Sequence, residues 1–128
     1  MKVQRSQVKL LVLREQLQIV PKVGFRPVCP RCWENSIYSN PTNMHEGLIK
    51  KSDVQSWDEK DRELINAPEN CIVLCPRCDI EESQTAEMTE WFILYKTALG
   101  YDLRTWVQTL PFKQLPSIRI AALNKILS

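Results

Sequence analysis

The feature that most constrains this chain is a tetrapeptide, Cys-Pro-Arg-Cys, that occurs twice. One copy spans residues 29–32, the other spans residues 75–78, and 42 residues separate them. A two-residue gap lets a tight turn direct both sulfur atoms at one ion, and two such turns complete a tetrahedral thiolate shell. We therefore predict that Cys29, Cys32, Cys75 and Cys78 bind one Zn²⁺.

Four thiolate ligands leave no open coordination position, so we expect this zinc to be structural and its binding to contribute to folding. A redox-active CxxC pair and a set of unrelated free cysteines are the alternatives. The chain has five cysteines, and an odd count is unfavourable for a disulfide framework. We expect the fifth, Cys71, to be a buried thiol that packs as a small apolar side chain.

Composition and charge suggest an ordinary globular chain with an uneven surface. Hydrophobic residues make up 44% and charged residues 25%, as in soluble domains. The net charge of +2 divides into +6 over residues 1–31, −8 over 32–90 and +4 over 91–128. Basic flanks around an acidic centre favour contact with a polyanion; a chance partition of a neutral surface is the alternative.

No apolar run approaches the roughly 20 residues that cross a bilayer, and no leader sequence is recognisable. We therefore expect an intracellular, cytoplasmic protein without a membrane partner. We expect one domain over residues 1–128, with a basic N-terminal helix and arm (1–27), a zinc-bound core (28–84) and a C-terminal helical extension (85–128).

Apolar spacing predicts helices outside the cysteine region and few strands. An N-terminal helix over residues 5–19 would bury Leu10, Leu13 and Leu17, and the possible capping box Ser56–Glu59 predicts a helix over 57–66. The spacing of Met88, Trp91, Phe92, Tyr95 and Leu99 predicts a helix ended by Gly100. Two shorter helices are predicted after Asp102 and from Ser117, and strands at 48–49 and 72–74.

We call each Cys-Pro-Arg-Cys copy a CPRC knuckle. Between the two knuckles lies the only histidine, His45, which is followed by Glu46, and Asn70 lies five residues before Cys75. This pattern resembles the HNH nuclease family, which has a ββα-metal fold and the order CxxC, His at a strand end, then Asn-x-x-x-x-CxxC-His. The resemblance covers Cys29 to about Glu82. It implies an α+β, mostly helical chain with a small zinc-stapled ββα-metal core and additional N- and C-terminal helices.

In such nucleases, the resemblance implies, a His is the general base for water that attacks phosphorus, an Asn orients its loop, and neighbouring residues hold a divalent cation. His45, Glu46, Asn70 and Asp79 are then the candidate catalytic residues, with Mg²⁺ or Mn²⁺ as the ion. Asp79 stands where the family usually has His, and His45-Glu46 reverses the usual acidic-then-His order. In one alignment His45 is the base, and Asp79 and Glu46 bind the metal; in the other His45 is a ligand and Glu46 occupies the base position.

Basic residues around this centre are candidates for phosphate contact. They are Lys50, Lys51, Arg31, Arg77, Lys22 and Arg26. We expect an HNH-type metal-dependent DNA endonuclease or nickase, with DNA as its partner. The main alternative is a catalytically degenerate HNH or zinc-ribbon module that binds DNA, or a protein partner through its C-terminal helices, without cleaving. A zinc-ribbon subunit of a larger assembly is a third reading.

Overall fold

A computed structural model of the chain describes residues 5–16, 28–33, 39–81, 85–111 and 115–128. These residues form a mostly helical fold with one two-stranded antiparallel sheet, which confirms the α+β, mostly helical part of the prediction. In chain order the elements are α1 (Arg5–Gln16), α2 (Pro30–Trp33), β1 (Asn43–Glu46), α3 (Glu59–Arg62), β2 (Cys71–Leu74), α4 (Pro76–Glu81), α5 (Ala86–Ala98), α6 (Leu103–Gln108) and α7 (Ser117–Leu127). Single 3-10 turns span Lys51–Val54, Glu63–Asn66 and Pro68–Asn70.

The sheet pairs β1 with β2 and is covered on one side by α1. His45 lies opposite Ile72, and Glu46 lies opposite Cys71. All four side chains of β2 are buried, and α1 packs Val8 and Val12 against this strand. At the end of α1, the Gln16 side chain donates to the carbonyl of Val73 (3.0 Å) and accepts from its amide (2.7 Å). Gln16 thus takes the place of a neighbouring strand at that residue.

Helix α4 follows β2 after a single residue and packs against β1. Its first turn contains the second CPRC knuckle, and the backbone amide of Asp79 donates to the carbonyl of Cys75 (3.1 Å). Successive side chains of β1 point to opposite faces. His45 therefore faces α4, whereas Met44 packs with the cluster beneath α1.

The C-terminal helices enclose the cysteine region in one hydrophobic core, which includes the four knuckle cysteines, Trp91, Phe92, Trp106 and Leu123. Thr85 begins α5 by accepting from the amide of Met88 (3.1 Å), and Gly100 after its end has a φ of 97°. Only glycine adopts such a φ without strain. The predicted Gly100 stop and the Asp102 cap of α6 are confirmed, since Asp102 accepts from the Thr105 amide (3.1 Å).

Three local predictions were wrong. The inner face of α1 carries Val8, Val12 and Gln16, and Leu13 packs partly buried against the same cluster as predicted, whereas Leu10 is 61% exposed. Residues 17–19 lie outside the described ranges. Helix α3 begins at Glu59, with Asp58 rather than Ser56 at its N-cap, and continues as a 3-10 turn to Asn66.

The third error concerns the first strand. It spans Asn43–Glu46, before the predicted Leu48-Ile49, which lie buried in the following loop. The second strand and the buried thiol of Cys71 are confirmed. No helix in the described part of the chain is both long enough and apolar enough to cross a membrane.

Candidate functional site

The four knuckle cysteines converge at one buried point. The sulfur atoms of Cys29, Cys32, Cys75 and Cys78 all lie within 4.8 Å of one another. Each residue is at most 3% exposed. Cys32 Sγ lies 3.5 Å from Cys75 Sγ and 3.4 Å from Cys78 Sγ. Ligands 2.3 Å from a tetrahedral ion lie about 3.8 Å apart, so the cluster has the size of a Zn²⁺ site.

The chemistry of these donors also fits zinc. Burial raises the pKa of Cys29 to about 11, because a thiolate is poorly solvated there. A divalent cation removes this penalty by replacing the thiol protons, so folding and metal binding are coupled. A buried four-cysteine group can therefore hold a structural metal such as zinc, as the sequence predicts.

Two arginines, one from each CPRC knuckle, border the cluster. Arg77 Nη2 lies 3.7 Å from Cys32 Sγ, and the Arg31 guanidinium lies 5.4 Å from the centre of the Trp91 ring. Arg77 thus brings a positive charge to the sulfur cluster, whereas Arg31 packs on the Trp91 ring. The two arginines that the sequence suggested as phosphate contacts thus flank the cysteine cluster.

One residue beyond the last cysteine, α4 presents Asp79 to the only histidine. Asp79 Oδ1 lies 3.0 Å from His45 Nδ1, and Asp79 Oδ2 accepts from Asn43 Nδ2 (3.2 Å). Asn43 precedes His45 by two residues, so both point to the same face of β1. Burial lowers the pKa of His45, although the contact with Asp79 acts in the opposite direction. The neutral imidazole is therefore favoured.

Asn70 fixes the loop that follows β1. Its Oδ1 accepts from the amides of Leu48 and Ile49, both at 2.9 Å. Its Nδ2 donates to the carbonyls of Ile49 and Ile65, also at 2.9 Å. Asn70 is fully buried, so one side chain satisfies three backbone groups of a loop that has no ladder of its own and ties that loop to Ile65 in the 3-10 turn Glu63–Asn66. This is the loop-orienting position that the resemblance implies.

Glu46, at the end of β1, makes contacts separate from the His45–Asp79 pair. Its Oε2 lies 3.1 Å from Arg5 Nη1 of α1, and its Oε1 accepts from the backbone amide of Lys51 (2.9 Å). Among the described residues, the four cysteines are the only group of three or more potential metal-binding side chains with mutually close ligand atoms. The structure therefore brings His45 and Asp79 together and leaves Glu46 at the adjacent end of β1.

An open cleft of about 380 Å³ unites these groups. It is lined by Arg5, Met44, His45, Glu46, Lys50, Asp79 and Ile80. Of the six predicted phosphate contacts, Lys50 lines this cleft. Lys51 lines a separate cavity beside α3. Lys22 and Arg26 lie outside the described residues. Two basic and two acidic side chains thus surround the cleft.

The cleft also fits a hard divalent cation. Mg²⁺ is commonly held by one or two protein carboxylates and completed by water and phosphate oxygens, and Mn²⁺ accepts imidazole as well. Asp79 supplies a carboxylate that is 24% exposed, and His45 supplies a ring nitrogen beside it. His45 and Asp79 are therefore the residues of the cleft that could hold such an ion.

Sequence reasoning missed two residues at this site. Asn43 was not considered, although its position two residues before His45 on one strand could have indicated it. Phe92 was assigned to the core, and its ring also lies edge-on to His45 with centroids 6.5 Å apart. No local pattern could have paired Phe92 with His45, because 46 residues separate them.

No protein-family model, curated protein or solved structure matches the chain at a significant level.

Proposed function

We propose that this chain is a metal-dependent phosphodiester hydrolase of the HNH type that cuts or nicks DNA. The contact of His45 Nδ1 with Asp79 Oδ1 at 3.0 Å carries the proposal. It joins the end of β1 to the first turn of α4, where the family pattern has its metal-binding positions. The chain order of β1, β2 and α4 supports the same ββα arrangement.

This geometry favours the alignment in which His45 and Asp79 hold the divalent cation. The cation would stabilise charge that builds on the phosphate oxygens. Asn43 orients the Asp79 carboxylate from the same strand. Glu46 then occupies the position of the general base, where a carboxylate can accept the proton of an attacking water. Asn70 holds the loop that begins directly after Glu46.

The charge distribution supports a nucleic-acid substrate. Arg5 and Lys50 line the cleft, and cations of this kind hold phosphate groups in position without reading sequence. The segments on either side of the acidic centre carry +6 and +4. Basic segments of this kind favour contact with a polyanion.

Plasmid cleavage tests the proposal. Supercoiled plasmid is incubated with zinc-loaded protein and Mg²⁺ or Mn²⁺, and nicked and linear products are followed over time. We expect cleavage by the parent protein. Glu46→Gln should cleave at least about 100-fold more slowly, since general acid–base groups contribute about 10²–10⁴, and His45→Ala should lose a comparable amount because it removes a ligand of the cation. Glu87→Gln is the matched control, because Glu87 is an exposed carboxylate on α5. Absence of cleavage in either metal, or equal cleavage by His45→Ala, would refute the proposal.

One observation favours a second candidate, a module that binds DNA without cleaving it. Both oxygens of Glu46 already have partners, Arg5 and the amide of Lys51, so the proposed base is not directed at an empty position. In a binding module these contacts would simply fix α1 to the end of β1. Salt-dependent binding of DNA by a protein that cleaves in neither metal would establish this alternative.

A further inference from the structure

We propose that Arg5 is a phosphate-binding residue of the cleft and that Glu46 occupies its guanidinium group until a phosphate replaces it. The inference rests on the proposed function, because it names the residue that receives the backbone of the DNA substrate. Arg5 was expected only as one charge of a basic arm. In the fold it reaches the cleft that contains His45 and Asp79.

The fold fixes where Arg5 lies. Val8, Val12 and Gln16 attach α1 to β2, so the first residue of the helix projects beyond the end of the sheet where β1 terminates at Glu46. Lys9 lies one helical turn further along, and its Nζ donates to the carbonyl of Thr42 before the other end of β1. Two cations on one helix face therefore have different environments, and only Arg5 lines the cleft.

The contacts of Arg5 leave it capable of binding a phosphate. Its Nη1 lies 3.1 Å from Glu46 Oε2 and 2.8 Å from Asn66 Oδ1. A guanidinium group carries five N–H donors in a planar fork, and both contacts use a single nitrogen. The Arg5 side chain is 47% exposed, against 14% for Glu46. An incoming phosphate can thus reach the guanidinium and bind it through two parallel hydrogen bonds.

The charges of the cleft explain why such an exchange is favourable. Arg5 and Lys50 face the carboxylates of Glu46 and Asp79, so the lining is balanced before substrate arrives. A phosphate that takes Arg5 gains a charge-assisted bidentate contact. The phosphate and Glu46 then compete for one guanidinium group, and displacement of Glu46 would leave its carboxylate available to a water molecule.

This arrangement predicts effects of opposite sign at the two ends of one ion pair. Neutralising Arg5 removes a phosphate contact and weakens DNA binding. Neutralising Glu46 removes the competitor and the nearby negative charge, so it strengthens DNA binding. An ion pair that serves only to fix α1 would give the same response at both ends, because either substitution breaks it.

Binding is measured rather than cleavage, since Glu46 is also the proposed base. Fluorescence anisotropy of a labelled duplex is recorded with zinc-loaded protein and no added Mg²⁺ or Mn²⁺, from about 50 to 200 mM salt. The variants are Arg5→Gln, Arg5→Lys, Glu46→Gln and the control Lys9→Gln. Zinc content and thermal unfolding confirm that each variant is folded.

We expect Arg5→Gln to bind more weakly and its slope of log affinity against log salt to be about 0.9 shallower, the value for one phosphate contact on duplex DNA. Arg5→Lys should keep the slope with reduced affinity, and Lys9→Gln should match the parent slope. Glu46→Gln should bind several-fold more tightly.

A parent-like slope for Arg5→Gln, or weaker binding by both Arg5→Gln and Glu46→Gln, would overturn the inference while leaving the proposed nuclease intact. A parent protein that neither binds the duplex nor cleaves plasmid would overturn both proposals.

Discussion

The cysteine cluster and the His45 cleft are adjacent in α4 and opposite in character. Cys78 and Asp79 are consecutive residues, yet Cys78 is 1% exposed and the Asp79 side chain is 24% exposed. The cluster gathers four sulfur atoms that fill a tetrahedral shell. The cleft offers one carboxylate and one imidazole on an open surface. One helix turn therefore carries a closed cluster of possible metal ligands and part of an open cleft.

The difference teaches how a short chain can position a reactive group. Helix α4 has six residues, and a helix of that length is not stable alone. The cluster fixes this helix through Cys75 and Cys78, so the next residue, Asp79, is held against His45. On this account the zinc contributes to function only by fixing the geometry of its neighbour.

The largest predicted effect separates the cluster from the remaining cysteine. Cys78→Ser removes one zinc ligand, and we expect loss of tightly bound zinc and of the folded state, because structural zinc contributes about 10–16 kcal/mol in small zinc domains. Cys71→Ala is the matched control, since Cys71 is buried but lies outside the cluster. Elemental analysis and circular dichroism measure the outcome. A folded, zinc-loaded Cys78→Ser protein would contradict the assignment.

The second effect concerns the loop on the cleft side. Asn70→Ala leaves two buried amides without an acceptor and two carbonyls without a donor, so we expect the free energy of unfolding to fall by about 3–5 kcal/mol. Asn70→Asp keeps the acceptor but buries a carboxylate against the carbonyls of Ile49 and Ile65, so at neutral pH it should be at least as destabilising. Urea denaturation measures both. Zinc that is retained in the folded fraction would show that the cysteine cluster and the cleft respond separately. An unchanged midpoint of urea denaturation would refute this role of Asn70.

The third effect is a pH dependence of stability that arises from Lys96. Lys96 is fully buried. Its Nζ has no hydrogen-bond partner within the described ranges, and it lies 4.6 Å from the Tyr101 ring centre. Burial lowers the pKa of Lys96 from 10.5 to about 8, while Glu15 opposes the change. The unfolded chain therefore binds the proton first as the pH falls, and stability decreases between about pH 10.5 and 8.

Replacing Lys96 by methionine should remove this decrease of stability with falling pH. We expect Lys96→Met to be more stable than the parent at pH 7 by up to about 3 kcal/mol and the difference to vanish above about pH 10.5. Thermal unfolding across this range measures it, with Lys125→Met of α7 as a control for lost surface charge. A difference independent of pH would show that the Lys96 amine is solvated.

The smallest effect tests the packing between the cleft and the core. A Cβ at Gly47 would lie 2.5 Å from the Phe92 ring, so we expect Gly47→Ala to reduce stability by about 1–3 kcal/mol. Phe92→Leu in the same chain should recover part of this loss, because the aliphatic side chain can move aside. Chemical denaturation of the single and double variants measures the recovery. Equal stability of Gly47→Ala and the parent would show that the loop can shift freely.

The sequence predicted most where the responsible residues are close together in the chain. The CPRC pairs, the α5 stripe, the Gly100 stop and the Asp102 cap depend on neighbours within a few positions, and all were found. The face of α1 was misassigned because leucine spacing favoured Leu10, whereas packing against β2 selected Val8 and Val12. Helix propensity does not specify which face meets a distant strand.

The cleft was only half predictable for the same reason. His45, Asn70 and Asp79 were identified from a pattern, and the structure brings His45 and Asp79 into contact while Asn70 holds the adjoining loop. β1 was missed because Asn43–Glu46 is largely polar and becomes a strand through pairing with β2. The Arg5–Glu46 contact joins residues 41 positions apart, and no local spacing contains that information.

Asp79→Asn gives the most direct test of the central claim, that a zinc scaffold positions a separate divalent-cation site one residue away. Zinc content and the Mn²⁺-dependent rate of plasmid nicking are measured on the same preparation. The account predicts one zinc per chain and at least about a 100-fold lower nicking rate, because Asn is a poorer ligand for a hard cation. Parent-like nicking, or loss of zinc in step with activity, would contradict it.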